Sequence, residues 1–292
     1  MKDLIGNRAH GDSAKSMLFL RNYAMERFLE RLSASKYRNC FILKGGMLIS
    51  AMVGIDSRAT MDIDTTLRNY ALNCESAEQI VRQIADVEID DKISFVIKKT
   101  EEIMEDSEYQ GVRLSLDAYL DKTRIPLKID ISTGDVITPC EISFSYQLMF
   151  ENRTIPLLAY PPETVLAEKL ETILSRGEAN TRLRDFYDVY ILQREDFVVT
   201  PDALCHALLA TCRKRGHEDL LHTYASILDR VRQSDTMRTQ WMKYQSDFDY
   251  AAGITWDTVL DTVETLCMKT LDDHAFGDEL PQEKSQFEMH LL

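Results

Sequence analysis

Two aspartates separated by one residue follow a glycine pair in this chain: Lys44-Gly45-Gly46 comes first and Asp62-Ile63-Asp64 comes next. Alternate side chains of a β-strand point to one face, so Asp62 and Asp64 project together. Neighbouring carboxylates repel each other unless a cation lies between them, and Mg²⁺ prefers such oxygen ligands. Glycines let phosphate oxygens approach the backbone closely. The pattern predicts a site for a metal-bound nucleoside triphosphate, with Asp62 and Asp64 as catalytic metal ligands.

A third aspartate, Asp130, lies in the segment Leu127-Lys128-Ile129-Asp130-Ile131-Ser132. Apolar residues alternate with it, so in a strand its side chain points away from theirs. If this strand lies beside the one that carries Asp62 and Asp64, three carboxylates converge. Such a group can hold two Mg²⁺ ions and align a hydroxyl for in-line attack on an α-phosphate. The alternative is the polar, solvent-facing side of an edge strand.

Lys169 flanks the apolar face of a predicted helix, between Val165 and Ile173. An ammonium group beside a buried face needs an anionic partner. Asp185 and Asp188 are three residues apart on the next predicted helix and therefore share one side of it. One interpretation is that Lys169 grips the β- and γ-phosphates while Asp185 positions Lys169, a base edge or the acceptor. The other is an interhelical salt bridge.

Several arginines and a threonine are further candidates for contacts with phosphate. Arg58 and Thr60 precede the paired aspartates and can reach phosphate or fix the turn. The two basic runs are Arg176, Arg182 and Arg184, and Arg213, Lys214 and Arg215. Either run can touch an RNA backbone. We interpret residues 213–215 as a solvated helix end that complements the helix dipole. For residues 176–184, a solvated loop and RNA contact both stay open.

The elements that position these residues change character along the chain. Hydrophobic periodicity predicts helices over 13–33, from Gly46 onward and over 75–85, and strands over 39–43, 61–67, 93–99, 112–120, 125–131, 141–147 and 154–158. From Pro161 the pattern is helical, over 163–175, 182–194, 202–214, 218–232, 236–248 and 256–270. The predicted fold class is therefore α+β. A domain with a mixed sheet flanked by helices (1–160) precedes an all-α helical bundle (161–271) and a flexible acidic tail (272–292).

Composition and charge disfavour several classes of protein for this chain. The net charge of −14 over 292 residues argues against broad non-specific binding to nucleic acid, although a local basic patch remains compatible with it. The six cysteines form no C-x-x-C pair, as is typical of a reduced cytosolic protein, and the dispersed histidines make a histidine zinc site unfavourable. No signal peptide and no stretch of membrane-spanning length is present, so we expect a cytoplasmic protein without membrane association.

The order of these motifs resembles the nucleotidyltransferases of the DNA polymerase beta superfamily. The matching residues are Leu43-Lys44-Gly45-Gly46, Arg58-x-Thr60-x-Asp62-x-Asp64 and the strand residue Asp130. More narrowly, Leu166-Ala167-Glu168-Lys169-Leu170 followed by Arg184-Asp185-Phe186-Tyr187-Asp188 resembles the downstream motif of the AbiEii family. The resemblance covers about residues 40–195. One departure is that many superfamily members have Gly-Ser where this chain has Gly45-Gly46, so that a backbone amide must replace a serine hydroxyl at the phosphate.

The resemblance implies a Mg²⁺-dependent enzyme that transfers NMP from an NTP to an acceptor hydroxyl. It further implies a toxin of type IV toxin–antitoxin and abortive-infection systems, with RNA (tRNA in some relatives) as acceptor and a cognate antitoxin as partner. The catalytic residues would be Asp62, Asp64, Asp130, Lys169 and Asp185, and the substrate-binding residues would be Lys44, Gly45, Gly46, Arg58, Thr60, Lys169, Arg184 and Asp188. Two alternatives stay open: a small-molecule nucleotidyltransferase of the antibiotic-modifying kind, and a catalytically silent module that binds nucleotides or a partner protein.

Overall fold

The computed structural model describes residues 1–105, 109–194 and 199–272 of the chain. Seven strands form one mixed sheet in the order β3-β4-β5-β2-β1-β7-β6. β2 runs parallel to β5 and β1 parallel to β7, and the other neighbours are antiparallel. The strands are β1 (Phe41–Lys44), β2 (Asp62–Leu67), β3 (Ile93–Glu105), β4 (Tyr109–Leu120), β5 (Thr123–Ser132), β6 (Ile142–Gln147) and β7 (Thr154–Ala159).

Ten α-helices accompany the sheet within the described ranges. Four precede β3 in sequence: α1 (Lys2–Arg8), α2 (Ser13–Ala34), α3 (Gly45–Val53) and α4 (Cys74–Ala85). Six follow β7: α5 (Pro162–Arg176), α6 (Leu183–Leu192), α7 (Pro201–Lys214), α8 (Leu220–Gln233), α9 (Asp235–Asp247) and α10 (Trp256–Leu271). The seven strands and nine of these helices are confirmed with shifts at their ends, and α1 was not predicted.

Local sequence explains where these elements begin and which side they bury. In α4, Asn73 and Ser76 form a capping box, which satisfies amides at the helix start. The helix buries Ala77, Ile80, Val81 and Ile84, which recur at helical spacing. At α5, Pro162 occupies the first turn, where the amide hydrogen that proline lacks is not needed.

The strands that carry the candidate aspartates are fixed by their apolar faces. Ile63 is fully buried between Asp62 and Asp64, and Ile129 and Ile131 are buried on either side of Asp130. Ile63 pairs directly with Ile129 across β2 and β5. Since a slip of one residue would turn these isoleucines to solvent, the register of the two strands is strongly specified. The carboxylates are consequently held on the opposite face of the sheet.

The fold agrees with the α+β expectation at the level of a mixed sheet with helices. One continuous hydrophobic core includes residues from the sheet and from α5 to α10. A separate C-terminal helical bundle and the boundaries at 160 and 271 stay predictions. The predicted acidic tail falls, apart from residue 272, outside the described residues. Among the helices that are described, none is long and apolar enough to cross a membrane.

Candidate active site

The three candidate carboxylates lie on two neighbouring strands. In the parallel pairing of β2 with β5, Asp64 is the direct partner of Asp130, and Asp62 pairs with Lys128. Residues two apart in a strand share a face, so all three carboxylates are on one side of the sheet. β5 lies between β4 and β2, so the interpretation of Asp130 as an edge-strand residue is wrong. Asp130 is also only 6% exposed. We refer to Asp62, Asp64 and Asp130 as the sheet carboxylates.

The electrostatics of Asp62 reflect this crowding. Burial raises the pKa of Asp62, and the nearby charge of Asp130 raises it further. Lys128 and Arg113 act in the opposite direction but do not cancel the rise. An ionised carboxylate at this position is therefore incompletely compensated by the protein.

The glycine pair brings the backbone close to Asp64. Gly45 has φ of +62°, a conformation that favours glycine, and a β-carbon on it would collide with the Asp64 carboxylate. The amide of Gly46 donates to Asp64 Oδ2 at 3.2 Å. A β-carbon on Gly46 would come within 2.5 Å of Thr60 Oγ1. The close approach seen in the structure is thus to a carboxylate and a hydroxyl of the protein itself, whereas contact of these glycines with phosphate stays a prediction.

The donor set fits Mg²⁺ in chemistry, since three carboxylates share one face and one of them is incompletely compensated. Within the described residues, however, no three acidic, histidine or cysteine side chains are grouped so that they could hold a metal. Arg113 occupies both oxygens of Asp130, with Nε 2.8 Å from Oδ1 and Nη2 2.6 Å from Oδ2. Metal ligation by the sheet carboxylates stays a prediction.

Lys44 is directed to a carboxylate that the sequence analysis did not select. It pairs with Asp64 across β1 and β2, and its Nζ lies 3.1 Å from Asp135 Oδ2. Asp135 also accepts hydrogen bonds from Ser132 and Thr66. Burial alone would raise the pKa of Asp135, but Lys44 and the two hydroxyls outweigh it and lower that pKa. Lys44 lines the cleft described below, yet its ammonium has an internal partner, so its predicted contact with substrate is untested.

Lys169 lies in a network of charges between α5 and α6. Its Nζ is 2.6 Å from Asp185 Oδ1 and 3.2 Å from Asp188 Oδ2. Arg58 Nε lies 2.6 Å from Asp188 Oδ1, and Arg182 Nε lies 2.8 Å from Asp185 Oδ2. The contact of Arg182 meets the distance of an ion pair but not the geometry of a hydrogen bond. We call these five residues the α5–α6 ion cluster.

The cluster contains the interhelical salt bridge that was one interpretation of Lys169. Arg58, which we expected to reach phosphate or fix the turn, is 2% exposed and joins the segment before β2 to Asp188 on α6. Burial would lower the pKa of Lys169, but Asp185 and Asp188 outweigh it and raise that pKa. Lys169 keeps 12% of its side chain exposed and lines the cleft described below.

The sheet carboxylates and the residues of the ion cluster other than Asp188 line one cleft of about 720 Å³. Every residue of the predicted site except Asp188 lines it. Residues that sequence analysis did not select for the site also line it: Arg113, Asp135, Glu168, Thr172, Gln240, Lys243, Tyr244, Asp247 and Phe248. Arg184 stacks on Phe248, with 5.2 Å from the guanidinium carbon to the ring centre, and Gln240 Oε1 has no hydrogen-bond partner among the described residues.

The two basic runs divide between the cleft and the surface. Arg182 and Arg184 line the cleft, whereas Arg176 does not. Arg213 forms an exposed ion pair with Glu218, in agreement with a solvated helix end. For Arg215 that interpretation is wrong, because it lines the cleft and pairs with the buried carboxylate of Glu171 on α5.

Some of the cleft residues that the sequence analysis missed could have been found from the sequence, and others could not. The hairpin between β4 and β5 turns next to the pair Leu120 and Thr123, and counting back from it places Arg113 opposite Asp130. That assignment was therefore accessible from the sequence. Gln240, Lys243 and Asp247 are spaced as one polar face of α9, which without its neighbours is indistinguishable from an ordinary solvated helix face.

A family model described as the nucleotidyl transferase AbiEii toxin of a type IV toxin–antitoxin system matches residues 27–262. No protein with a curated function matches the chain. Solved structures that resemble it include JHP933 from Helicobacter pylori, at 14% identity and a TM-score of 0.47, over 88% of this chain and 94% of that one. An antigenic nucleotidyltransferase-like protein from Paracoccidioides brasiliensis aligns at 13% identity and a TM-score of 0.40, over 69% of this chain and 91% of that one.

Structural similarity at this level adds nothing to the assignment, which depends on the family model. That match extends well beyond the motifs, from α2 into α10, and covers more than half of the chain. The protein belongs to the AbiEii family of nucleotidyltransferase toxins of type IV toxin–antitoxin systems.

Proposed function

We propose that this nucleotidyltransferase transfers NMP from a Mg²⁺-bound NTP to an acceptor hydroxyl of RNA. The observation that supports it best is that carboxylates and cations line one cleft together. The sheet carboxylates line it, where Asp62 is incompletely compensated, and so do the cations of the ion cluster, Lys169, Arg58 and Arg182. A metal-bound triphosphate carries both signs of charge and complements both sets of groups.

In this proposal the residues divide the work by position. Asp62 and Asp64 hold metal, and Asp130 joins them from the next strand. The metal, when bound, would polarise the phosphoryl oxygens and lower the pKa of the attacking hydroxyl. Lys169 supplies positive charge to the β- and γ-phosphates, and Asp185 fixes its ammonium group. Gly45 and Gly46 keep the N-terminal end of α3 free of side chains next to Asp64, so that phosphate can approach the backbone amides of the helix.

The acceptor is proposed from the family and from the cations around the cleft. The family is described as a toxin, and modification of RNA allows few enzyme copies to disable many molecules. Arg184 and Lys243 line the cleft, where an RNA backbone would meet positive charge. As a toxin of a type IV system, the protein would have a cognate antitoxin as its partner.

The test is to incubate the protein with each α-³²P-labelled NTP, total RNA and Mg²⁺, and to follow label into RNA on a gel. Asp64→Asn is the inactive control, and Arg124→Gln, which removes an ion pair between β5 and β4 outside the cleft, is the matched active control. We expect label in RNA with the wild type and Arg124→Gln only. Label transferred to an aminoglycoside-like acceptor and never to RNA would contradict the RNA assignment. Equal transfer by wild type and Asp64→Asn would contradict the site.

A further inference from the structure

Arg113 binds both carboxylate oxygens of Asp130. The two residues face each other across β4 and β5, and the guanidinium donates from Nε and Nη2 to the two carboxylate oxygens at 2.8 and 2.6 Å. Asp130 has 8% of its side chain exposed and Arg113 has 35%. The carboxylate is therefore fixed in the sheet, whereas the guanidinium has solvent and the cleft beside it.

This pairing affects what else Asp130 can bind. A bidentate guanidinium takes one lone pair of each oxygen of Asp130 and leaves fewer of them for a metal ion. A divalent cation added beside it would also be repelled by the arginine charge. Arg113 and a metal ion consequently compete for Asp130.

We infer that Arg113 is a resident counter-ion that competes with the divalent metal for Asp130. The inference depends on the proposed function in one respect, that Asp130 is a metal ligand. In the resting protein Arg113 compensates the sheet carboxylates and lowers the affinity for metal. When metal binds, Arg113 leaves Asp130 and turns its guanidinium to the cleft, where a nucleotide phosphate can form an ion pair with it.

Binding of metal and nucleotide is then coupled. A phosphate that pairs with the released guanidinium removes a competitor of the metal, and by linkage the metal raises affinity for nucleotide equally. Arg113 is a positioning residue in this scheme, because it acts on the metal through Asp130. Its effect appears as metal affinity in the absence of nucleotide, which a purely structural role would not alter in the same direction.

The test is Mn²⁺ binding to the full-length protein without nucleotide, measured by the electron paramagnetic resonance signal of free Mn²⁺. We expect Arg113→Gln to bind Mn²⁺ about three- to tenfold more tightly than the wild type, since a partly exposed bidentate pair is lost as a competitor. Arg113→Lys, which keeps the charge without the fork, should lie between them. Asp130→Asn should bind more weakly than the wild type.

The matched control is Arg124→Gln. Arg124 is on the same pair of strands and lies 3.1 Å from Asp117, a carboxylate with 7% exposure, but it does not line the cleft. It should leave Mn²⁺ affinity unchanged. As a second readout, thermal unfolding with EDTA and with Mn²⁺ should show a larger metal-induced rise in Tm for Arg113→Gln than for the wild type.

Unchanged or weaker Mn²⁺ binding by Arg113→Gln would overturn the inference, as would wild-type binding by Asp130→Asn. The label-transfer assay is separate from this ranking. If the variants rank as expected but no NTP is used by the wild type, the counter-ion role stands and the proposed reaction fails. If transfer occurs while the ranking fails, the reaction stands and Arg113 does not compete with the metal.

Discussion

Asp62 on the sheet is partly buried and Asp188 in the ion cluster is fully buried, and their pKa values shift in opposite directions. Burial raises the pKa of Asp62, and the cations near it do not reverse the rise. Burial acts in the same direction on Asp188, but Arg58 and Lys169 outweigh it and lower that pKa. Cations of the protein compensate the charge of Asp188, whereas those near Asp62 do not fully compensate the charge of Asp62.

Under the proposed function, we interpret the difference as one between a charge that serves the fold and a charge that binds a ligand. Asp188 is 0% exposed and joins two cations from different segments, so it serves the fold. Asp62 faces the cleft beside Asp130 and is better satisfied by an added cation. Lys169 combines both features, since it forms ion pairs with Asp185 and Asp188 and also lines the cleft. Variants at these positions should therefore separate stability from activity.

The largest expected effect is on catalysis at Asp62. Asp62→Asn should lower transfer of labelled NMP about a hundredfold or more, because loss of a metal ligand removes several kcal/mol of stabilisation from the transition state. Its thermal stability in EDTA should equal or exceed that of the wild type, since the asparagine removes an incompletely compensated charge. Turnover by Asp62→Asn at the wild-type rate with Mg²⁺ would contradict the contrast drawn between Asp62 and Asp188.

The next effect is on stability at Asp188. Asp188→Asn should lower the free energy of unfolding by about 3–5 kcal/mol, because Arg58 and Lys169 would be left buried without a full counter-charge. Urea denaturation in EDTA measures this. The control is Asp257→Asn, which removes a surface ion pair with Arg238 and should change the free energy by about 1 kcal/mol or less. Equal effects of the two variants would show that the buried cluster is not structural.

Lys169→Met should show both effects at once. It leaves two cations with two carboxylates in the ion cluster, so the loss of stability should be smaller than for Asp188→Asn. Affinity for NTP should fall about tenfold or more, because a charged partner of the phosphates is lost. Calorimetric titration with NTP measures the affinity, with Lys99→Met, from the exposed pair with Glu101, as the control. A loss of stability without a loss of affinity would support the salt-bridge interpretation alone.

The smallest expected effect is on the pH dependence of stability. The folded pKa of Asp188 is lowered, so its contribution is present above the ordinary value of 3.8 and is lost as pH falls through the folded pKa. The folded pKa of Asp62 is raised, so stability from this group increases as pH falls through that raised pKa. Denaturation of metal-free protein at a series of pH values above 3.8 should show a shallower increase on acidification for Asp62→Asn than for the wild type. Identical slopes would mean that Asp62 is compensated.

Local patterns predicted most of the fold. The alternation around Ile63 and Ile129 specified which face each strand buries, and with it the common face of the sheet carboxylates. The order of the strands was not predictable in the same way. β2 and β5 are separated by two other strands in sequence, and only packing brings Asp64 beside Asp130. The helix α1 was missed because its seven residues bury only Ile5.

The candidate site was predictable where residue type and spacing carried the information. Asp62, Asp64 and Asp130 could be selected in this way, and Lys169 with Asp185 by resemblance to the family. Partners from distant segments could not, because nothing local to Arg58 indicates Asp188 and nothing local to Lys44 indicates Asp135. The contribution of α9 to the cleft likewise depends on how the helices pack.

The central claim is that the sheet carboxylates hold a metal that carries the triphosphate into the cleft. Its most direct test is the binding of a non-hydrolysable NTP analogue, by calorimetry, with Mg²⁺ and with EDTA, to the wild type and to Asp64→Asn. We predict that the wild type binds the analogue more tightly with Mg²⁺ than with EDTA, and that Asp64→Asn in Mg²⁺ binds no better than the wild type in EDTA. Equal affinity of the wild type in Mg²⁺ and in EDTA would contradict the claim.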